Sequence, residues 1–412
     1  MELFRFELVA IEFPTIVGMS RVYLDANATT PMLPAAMDAM LPHLGSSFGN
    51  ASSAHRGGQA ARSAIERARR SVARLLHASE KEIVFTSGGT ESDNLAIFGT
   101  MRRVQKDEPA LRPHLITTAI EHHAVLHAAE ELATLGIDVT FLTPTPEGVV
   151  RAEEFAQALR PETRLVSVML ANNETGAIQP VGKLARLAKE YAATHGKRIL
   201  VHTDAVQGAA KLPLDLAGEF RNVDLLSISG HKMYAPQGTG VLFVRSGTPL
   251  SPTLFGGPQE RQRRGGTENV AGIVALGVAA DAAATWLEQG GIATLQRLRD
   301  RLESGLLTTV PNSAANSAGA PRVANTVNLR LEGVEGESLV MALDMAGIAA
   351  SFGAACMSGV TEPSHVLLAS GRTPAEARSS VRFSLSRFTT QAEIDEALRL
   401  IPAIVARLRD TP

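Results

Sequence analysis

The stretch LLSISGHKMYAPQGTG, residues 225–240, is the most informative part of the chain, because a strand-like run is followed at once by polar and basic residues. Its first five residues are typical of a buried strand, and its end is a loop containing proline and glycine. Between them lie Ser229, Gly230, His231 and Lys232. A lysine at a strand end is usually a surface residue, but in a partly apolar pocket its pKa falls and its amine can form a Schiff base.

Short apolar runs of the same kind recur along the chain, at 82–87, 114–120, 138–143, 164–171, 198–204 and 240–245. Helical segments separate several of them, such as 151–160, which Pro161 stops, and 181–195, which Gly196 closes. Strands that alternate with helices predict an α/β fold, with a mostly parallel seven-stranded sheet sandwiched by helices. Such sheets bind ligands at the carboxyl ends of their strands, so the residues that follow these runs are the candidates for chemistry.

Size, charge and cysteine content narrow the class of protein. A chain of 412 residues exceeds what one hydrophobic core usually supports, which predicts two domains. The 40 basic and 42 acidic residues nearly balance and form no basic block, which argues against nucleic acid or a membrane as partner. No apolar run is expected to approach the roughly 20 residues that span a bilayer. The single cysteine, Cys356, cannot form an intramolecular disulfide and fits a reducing, cytoplasmic compartment.

The pattern changes in the last third of the chain. A long helix is predicted over roughly 291–308, and two strand-like runs lie on either side of Cys356. The predicted parts are a large domain over 33–287, a smaller α+β domain from 20–32 and 288–412, and an N-terminal extension over 1–19. The alternation of Phe4, Phe6 and Leu8 leaves open whether the extension adds an edge strand or is dispensable.

An acidic residue ends another of the predicted strands. In RILVHTDAVQG, residues 198–208, Asp204 closes the run and Gln207 follows it. A buried carboxylate is costly unless it is paired, and the protonated ring nitrogen of pyridoxal phosphate (PLP) is one such partner. The alternative from this segment alone is that Asp204 caps the next helix.

A glycine-rich helix start follows the run at 82–87. Gly88 and Gly89 come first, and Thr90 with Asp93 matches the S/T-x-x-D/E capping box, which predicts that a helix begins there. Backbone N–H groups and the helix dipole at such a start suit a phosphate. The stretch lacks the G-K-[ST] of a P-loop and the G-x-G-x-x-G fingerprint, so by itself it does not identify a nucleotide site.

Histidines and arginines complete the set of candidates. His122 and His123 follow a strand-like run, and His127 lies one helical turn after His123, but no third ligand marks a zinc site, so we predict no metal. Arg382 and Arg387 lie on or beside a predicted strand, where one of them can bind a carboxylate through two parallel hydrogen bonds. A lysine, an acid, a phosphate-binding helix start, a stacking histidine and an arginine are together the parts of a PLP site.

The chain resembles the cysteine desulfurases, the sulfur-mobilising branch of the class V aminotransferases with the fold-type I PLP architecture. The motifs that carry the resemblance run in order from residue 23 to residue 395: YLDANATTP, FGNASSAH, TSGGTESDNLAI, EHHAVL, NNETGAIQPV, VHTDAVQ, SGHKMYAPQGTG, RGGTEN and VRFSLSRFTTQAEID. The resemblance implies PLP as cofactor, L-cysteine as substrate and a homodimer as the functional state.

The resemblance also implies roles for individual residues. Lys232 would hold PLP as a Schiff base, and Asp204 would pair with its ring nitrogen. The other cofactor contacts would be Gln207 at the ring hydroxyl, His122 stacked on the ring, Asn173 beside it, Gly89, Thr90, Ser229 and His231 at the phosphate, and Thr267 at the phosphate of the neighbouring subunit's cofactor. Asn27 and Arg382 would receive the carboxylate of the substrate.

The resemblance assigns Cys356 the role of a nucleophile on a mobile loop. As a thiolate it would take the sulfur of L-cysteine as a persulfide and leave alanine. Lys232 would remove the Cα proton, and His122 would shuttle a proton during the exchange. A sulfur-acceptor protein, either an iron–sulfur scaffold or a sulfur relay, would then take the sulfur, so Cys356 would meet an iron–sulfur cluster only transiently.

Two other interpretations of the sequence stay open. One is a related class V enzyme, such as a selenocysteine lyase or an aminotransferase for a small amino acid, and an aminotransferase would not need Cys356. The other is a non-catalytic PLP-binding scaffold in a sulfur-transfer assembly. Phe352, Ala354 and Met357 stand where the family usually has two serines and a threonine, which bears on turnover more than on the type of reaction.

Overall fold

The computed structural model describes residues 22–353 and 362–410. Its strands are β1 (Val22–Tyr23), β2 (Ile83–Thr86), β3 (His114–Thr118), β4 (Asp138–Leu142), β5 (Thr163–Ser167), β6 (Leu200–Asp204), β7 (Leu225–Ser229), β8 (Gly240–Val244), β9 (Ser313–Ala315), β10 (Thr326–Leu331), β11 (Ile348–Ala349), β12 (Ser351–Phe352) and β13 (Ser380–Ser384). The α-helices are α1 (Pro34–Leu44), α2 (Arg56–Leu75), α3 (Gly89–Asp107), α4 (His123–Thr134), α5 (Ala152–Ala158), α6 (Val181–Thr194), α7 (Val270–Glu288), α8 (Gly291–Thr309), α9 (Gly336–Met345), α10 (His365–Ala369), α11 (Pro374–Arg378) and α12 (Gln391–Arg409). The predicted edge strand around Phe4 lies outside the described residues.

The centre of the molecule is a seven-stranded sheet with the order β2-β8-β7-β6-β5-β3-β4. β8 runs antiparallel to both of its neighbours, and the other pairs are parallel. The apolar runs singled out in the sequence form these strands, so the predicted α/β fold with a mostly parallel sheet is confirmed. Because β2, β3, β5, β6 and β7 point the same way, the residues that follow them meet at one edge of the sheet.

Successive residues of the central strands pack on opposite faces of the sheet, since side chains alternate along a strand. Leu115 and Leu165 belong to a core that includes residues of α3 and α4. The next residues along the same strands, Ile116 and Val166, belong to the core that includes residues of α2, α5, α6 and α7. Helices therefore cover both faces, which explains why the strands read as continuous apolar runs.

α7 corrects one prediction, because by length and composition it is long and apolar enough to cross a bilayer. In the structure α7 packs against α1 and α2, and its Leu276 and Ala280 are fully buried. A Cβ atom on Gly277 would lie 2.6 Å from the Cα atom of Ala68 in α2, so a glycine is needed for this close approach. α7 is a core helix, and a helix enclosed by its neighbours is apolar around most of its surface.

A second hydrophobic core lies among the C-terminal elements. It contains Val22 and Leu24 together with apolar residues of α8, α9, α12, β10 and β13. β10 and β13 belong to an antiparallel sheet of order β12-β13-β10-β9, and β1 pairs with β11. The main core draws on residues between Leu33 and Ala283. We propose on this basis that the boundaries at 32/33 and 287/288 separate two domains, as the sequence predicts.

Candidate active site

A cavity of about 380 Å³ lies where the parallel strands of the central sheet end. The predicted site residues that line it are Asn27, Gly89, Thr90, His122, Asn173, Asp204, Gln207, Ser229, His231, Lys232 and Arg382. Asp93 and Met169 also line the cavity, although the sequence predicted no place for them in the site. Thr267 is exposed and is not part of the lining, and Cys356 lies outside the described residues.

Lys232 follows β7 directly, in a single 3₁₀ turn over Gly230–Lys232. A Cβ atom on Gly230 would lie 2.2 Å from Oγ1 of Thr239, so only glycine fits at the start of this turn. The Nζ atom of Lys232 donates to the carbonyl oxygens of Asn27, at 2.6 Å, and Ala28. The amine is thus held between the end of β7 and the segment after β1, inside the cavity.

Asp204 ends β6 and is buried, as are the carboxyl groups of Asp93 and Glu121 nearby. Its Oδ1 atom accepts a hydrogen bond from the backbone N–H of Val206 at 2.8 Å, yet burial raises the pKa of Asp204 to about 6. Burial also raises the pKa of Asp93 well above its usual range and that of Glu121 to about 8. A cation placed beside Asp204 would restore its negative charge, which is what a protonated ring nitrogen supplies.

The start of α3 contradicts the predicted capping box. Gly88 precedes the helix, no side chain caps it, and Asp93 is 1% exposed and lines the cavity instead. Gly89 lies against the end of β7, where an added Cβ atom would come within 2.8 Å of Val206 and 3.4 Å of Ser229. A capping box would not suit this site, because its side chains would accept hydrogen bonds from the backbone N–H groups that an anion needs. The arrangement therefore favours a phosphate at this helix start.

His122 is the residue before α4, and its side chain lines the cavity. Its Nδ1 atom accepts a hydrogen bond from the backbone N–H of Ala124 at 3.1 Å, so this nitrogen carries no proton. Burial, together with the nearby His123, lowers the pKa of His122 to about 4. The imidazole is therefore neutral near pH 7, with its proton on Nε2.

Arg382 lies in β13 and is buried at the cavity. Its Nη1 atom donates to the carbonyl oxygen of Asn173 at 2.9 Å, and its Nη2 atom donates to Oδ1 of Asp25 at 2.8 Å. Its Nε atom and Oδ1 of Asn173 are both buried without a hydrogen-bond partner among the described residues. Arg382 is thus a buried cation in the cavity lining, where a guanidinium can bind the carboxylate of an amino acid. Arg387 instead stacks on the ring of Tyr234, 4.1 Å from its centre.

The profile of the aminotransferase class V family matches residues 22–397. The chain belongs to this family. It is 45% identical over 389 residues to the cysteine desulfurase IscS of Methanosarcina thermophila, an alignment that covers 94% of this chain and 93% of that protein.

Two solved structures agree with this assignment. A NifS-like protein has a TM-score of 0.86 at 35% identity, over 94% of this chain and 100% of that one. The structure described as SspA in complex with cysteine has a TM-score of 0.76 at 35% identity, over 90% of this chain and 100% of that one. The predicted fold type, cofactor and activity are thereby confirmed: the chain is a fold-type I, PLP-dependent cysteine desulfurase.

The desulfurase cavity fits PLP on observations of this structure alone. The start of α3 leaves its first turn without a side-chain cap, and Ser229 and His231 stand beside it as further hydrogen-bonding groups. Asp204, a buried acid, faces the same space as the amine of Lys232. An anion site, an acid for a ring nitrogen and an amine for an aldehyde therefore share one cavity. Among residues 22–353 and 362–410, no group of His, Asp and Glu side chains is arranged to hold a metal ion.

Asn27 connects more partners than the sequence predicted. Its Nδ2 atom donates to Oγ1 of Thr326 at 2.9 Å and to the carbonyl oxygen of Asn173 at 3.1 Å. Its Oδ1 atom accepts from Asn325 at 2.9 Å and from Nζ of Lys211 at 3.0 Å. Asn27 thus positions other site residues in this structure, and a substrate carboxylate would have to replace one of these contacts.

Lys211 is a buried lysine that sequence reasoning missed. Its Nζ atom donates to Oε1 of Gln207 as well as to Asn27, and burial lowers its pKa well below the usual range. It lies in a turn after β6, where no helical or strand periodicity marks a buried position. Asp93 did carry a signal, because it belongs to the same glycine-rich motif as Gly89.

Proposed function

We propose that this desulfurase transfers the sulfur of L-cysteine to Cys356 as a persulfide and releases L-alanine. The observation that carries the proposal is the convergence of Lys232, Asp204 and Arg382 on one cavity at the strand ends. The related SspA structure, described as a complex with cysteine, supports L-cysteine as the molecule that this cavity accepts. Cys356 itself enters through its position in the family's motif, because it lies outside the described residues.

The residues that would hold PLP line this cavity, and the resemblance to the family gives the role of each. Lys232 would bind it covalently, Asp204 would face its ring nitrogen, and His122 would lie on its ring. The remaining contacts would be Gly89, Thr90, Ser229 and His231 at the phosphate, with Asn173 and Gln207 beside the ring. When bound, PLP supplies an electron sink that makes the Cα–H bond of an amino acid acidic.

Arg382 would bind and orient the substrate. Two of its nitrogens are held by Asn173 and Asp25, so the guanidinium plane is set before a substrate arrives. Each of these two nitrogens has a second N–H that could donate to a carboxylate, and a charge-assisted hydrogen bond of this kind is about twice as strong as a neutral one. A preset donor lowers the cost of ordering the substrate, which favours one orientation of its Cα–H bond.

Lys232 and His122 would move the protons. The Nζ atom of Lys232, an amine in the cavity lining, would be the base that takes the Cα proton. His122, neutral near pH 7 with its proton on Nε2, would donate this proton and regain one from the substrate thiol, so that it acts as a proton shuttle. A proton returned to the former Cβ carbon of cysteine completes the methyl group of alanine.

The sulfur transfer balances without an external oxidant. The thiolate of Cys356 attacks the sulfur of L-cysteine, so an S–S bond forms while the C–S bond breaks. The electron pair of the broken bond stays on carbon, which is then protonated. One thiol and one cysteine therefore become one persulfide and one alanine. The persulfide is passed to a sulfur-acceptor protein, for which an iron–sulfur scaffold and a sulfur relay are the two candidates.

A homodimer is part of the proposal. Thr267, expected at the phosphate of a neighbouring subunit's cofactor, is exposed. Next to it, the N–H of Gly265 donates to the carbonyl oxygen of Leu254, and Phe255 is 66% exposed. Exposed apolar side chains beside a functional residue are typical of a surface that a second copy covers. We place this dimer in the cytoplasm, as the single cysteine indicates.

The proposal is tested by measuring alanine released from L-cysteine in the presence of a thiol reductant. The intact holoenzyme is expected to make alanine over many turnovers, and Cys356→Ser is expected to abolish it while the PLP absorbance stays unchanged. Alanine formation that survives the substitution would instead support a lyase that does not use Cys356. An intact protein that binds PLP and makes no alanine would support the aminotransferase or the scaffold interpretation.

A further inference from the structure

Ser364 lies a few residues after Cys356 and is held beside the cavity by Glu174. It is buried, and its hydroxyl donates to Oε2 of Glu174 at 2.5 Å. The Oγ atom of Ser364 also accepts a hydrogen bond from the backbone N–H of Leu367 at 3.1 Å, so Ser364 caps α10. Glu174 is 1% exposed and follows Asn173, a residue of the cavity lining. One side chain thus connects the chain after Cys356 to the loop that holds the guanidinium of Arg382.

His365, the next residue, makes a second connection to the cavity. Its Nε2 atom lies 2.9 Å from the carbonyl oxygen of Glu121. A carbonyl can only accept, so Nε2 carries the proton and donates. This carbonyl belongs to the peptide bond that leads into His122, whose ring lines the cavity. The ring of His365 also lies 4.8 Å from that of His123, which fixes its orientation.

The chain before Cys356 is held at the same cavity. β12 pairs with β13, and Ser351 stands opposite Arg382 in the register. Gly353, with a φ of 59°, directly follows β12 and takes a backbone conformation that glycine adopts easily. The described chain on both sides of Cys356 therefore attaches to elements that carry cavity residues, Arg382 on one side and His122 and Asn173 on the other.

We propose that Ser364 and His365 are positioning residues for sulfur transfer. We call the pair, with its contacts to Glu174 and the Glu121 carbonyl, the downstream anchor. It sets how far Cys356 can reach and from which side it approaches the substrate sulfur. This inference rests on the proposed role of Cys356. It also gives a function to Glu174, the acidic residue of the NNETG motif, which accepts the hydrogen bond of Ser364.

The physical reason is that a nucleophile on a short connection is more concentrated at its target when both ends are fixed. Without the anchor, Cys356 would sample more positions, and fewer of them would be within attack distance. Binding of L-cysteine uses Arg382 and Lys232, which the anchor does not contact directly. Loss of the anchor should therefore slow sulfur transfer and leave substrate binding almost unchanged.

The test uses holoenzyme variants Ser364→Ala and His365→Ala, with two measurements on each. The change of PLP absorbance on adding L-cysteine reports substrate binding, and the single-turnover rate of persulfide formation reports attack by Cys356. We expect the rate of persulfide formation to fall about tenfold or more. The L-cysteine concentration that gives half of the absorbance change should stay within about twofold of the parent value. The conservative variants Ser364→Thr and His365→Gln, which keep a donor, should recover most of the rate.

Ser370→Ala is the matched control, because Ser370 follows α10 and its hydroxyl donates to the Val366 carbonyl in the same segment. It should keep both the parent rate and parent binding. Anchor variants that transfer sulfur at the parent rate, or that lose binding and transfer equally, would overturn the inference. Failure of the proposed function is a separate outcome, since it appears as alanine formation by Cys356→Ser whatever the anchor variants do.

Discussion

Arg382 is the residue whose contacts most directly define how a substrate is held. Two of its five N–H donors are committed to Asn173 and Asp25, which leaves a second N–H on each of Nη1 and Nη2. A lysine has no planar fork and cannot hold both partners while it donates to a third group. We expect Arg382→Lys to raise the KM for L-cysteine roughly 10- to 100-fold, the equivalent of one charge-assisted hydrogen bond. The KM is obtained from the steady-state rate of alanine formation at several L-cysteine concentrations.

Arg387→Lys is the control for this substitution, because the Arg387 guanidinium stacks on Tyr234 and is not part of the cavity lining. It should leave the KM for L-cysteine within about twofold of the parent value. An unchanged KM in Arg382→Lys would show that the substrate carboxylate is bound elsewhere.

Glu121 gives a prediction about pH. Its Oε1 atom accepts from the N–H of Met169 at 3.0 Å and from Oγ1 of Thr118 at 2.7 Å, contacts that a glutamine oxygen can also accept. Burial raises its pKa to about 8, so between about pH 4.5 and 8 the folded chain holds a proton that the unfolded chain releases. The free energy of unfolding therefore falls as pH rises through this window, on the order of 1 kcal/mol per pH unit.

Glu121→Gln removes this titration. Relative to the parent, its free energy of unfolding should rise by on the order of 1 kcal/mol per pH unit across the same window, measured by urea unfolding at several pH values. Glu130→Gln is the same substitution at an exposed position of α4. Its free energy of unfolding, plotted against pH, should run parallel to that of the parent. Parallel curves for Glu121→Gln as well would mean that Glu121 is ionised in the folded protein.

Single residues also show where sequence reasoning stops. Lys232, Asp204 and His122 were predictable because each is a polar residue that follows a recognisable apolar run. Lys211 was not, since its burial depends on Asn27, a residue from a distant part of the chain. The capping box failed for a related reason: Thr90 and Asp93 have the right spacing, yet both face a cavity that the pattern does not reveal.

At the scale of secondary-structure elements, the contact between α2 and α7 is the one that the structure makes most testable. A Cβ atom on Gly277 would lie 2.6 Å from both Cα and Cβ of Ala68, and backbone atoms cannot move aside without shifting a helix. We expect Gly277→Ala to lower the free energy of unfolding by about 1–3 kcal/mol. The gain in helix propensity, about 1 kcal/mol or less, should not compensate.

Urea unfolding of the holoenzyme checks this prediction. Thr285→Ala, at an exposed position of the same helix, should change the free energy of unfolding by no more than about 0.5 kcal/mol. Stabilisation by Gly277→Ala would show that α2 and α7 have room between them. Sequence reasoning could not foresee this contact, because the apolar pattern of α7 fits a membrane helix by length and composition.

For the whole molecule, the alternation of apolar runs and helices was sufficient to predict the sheet. All the predicted runs of the central sheet became strands, and all except the edge strand β4 consist of buried residues, which leaves a strong signal in the sequence. The pairing of β12 with β13 and the contact of Ser364 with Glu174 were not predictable, since both join segments far apart in the chain. Short elements held by a few polar contacts leave little trace in composition.

The whole molecule is proposed to move sulfur from L-cysteine onto Cys356. The most direct measurement is the intact mass of the holoenzyme after reaction with L-cysteine without reductant, followed by peptide mapping. We predict a gain of one sulfur atom on the peptide that contains Cys356, lost on adding a thiol reductant, with one L-alanine formed for each sulfur bound. Alanine produced without any sulfur on that peptide would rule out Cys356 as the sulfur acceptor.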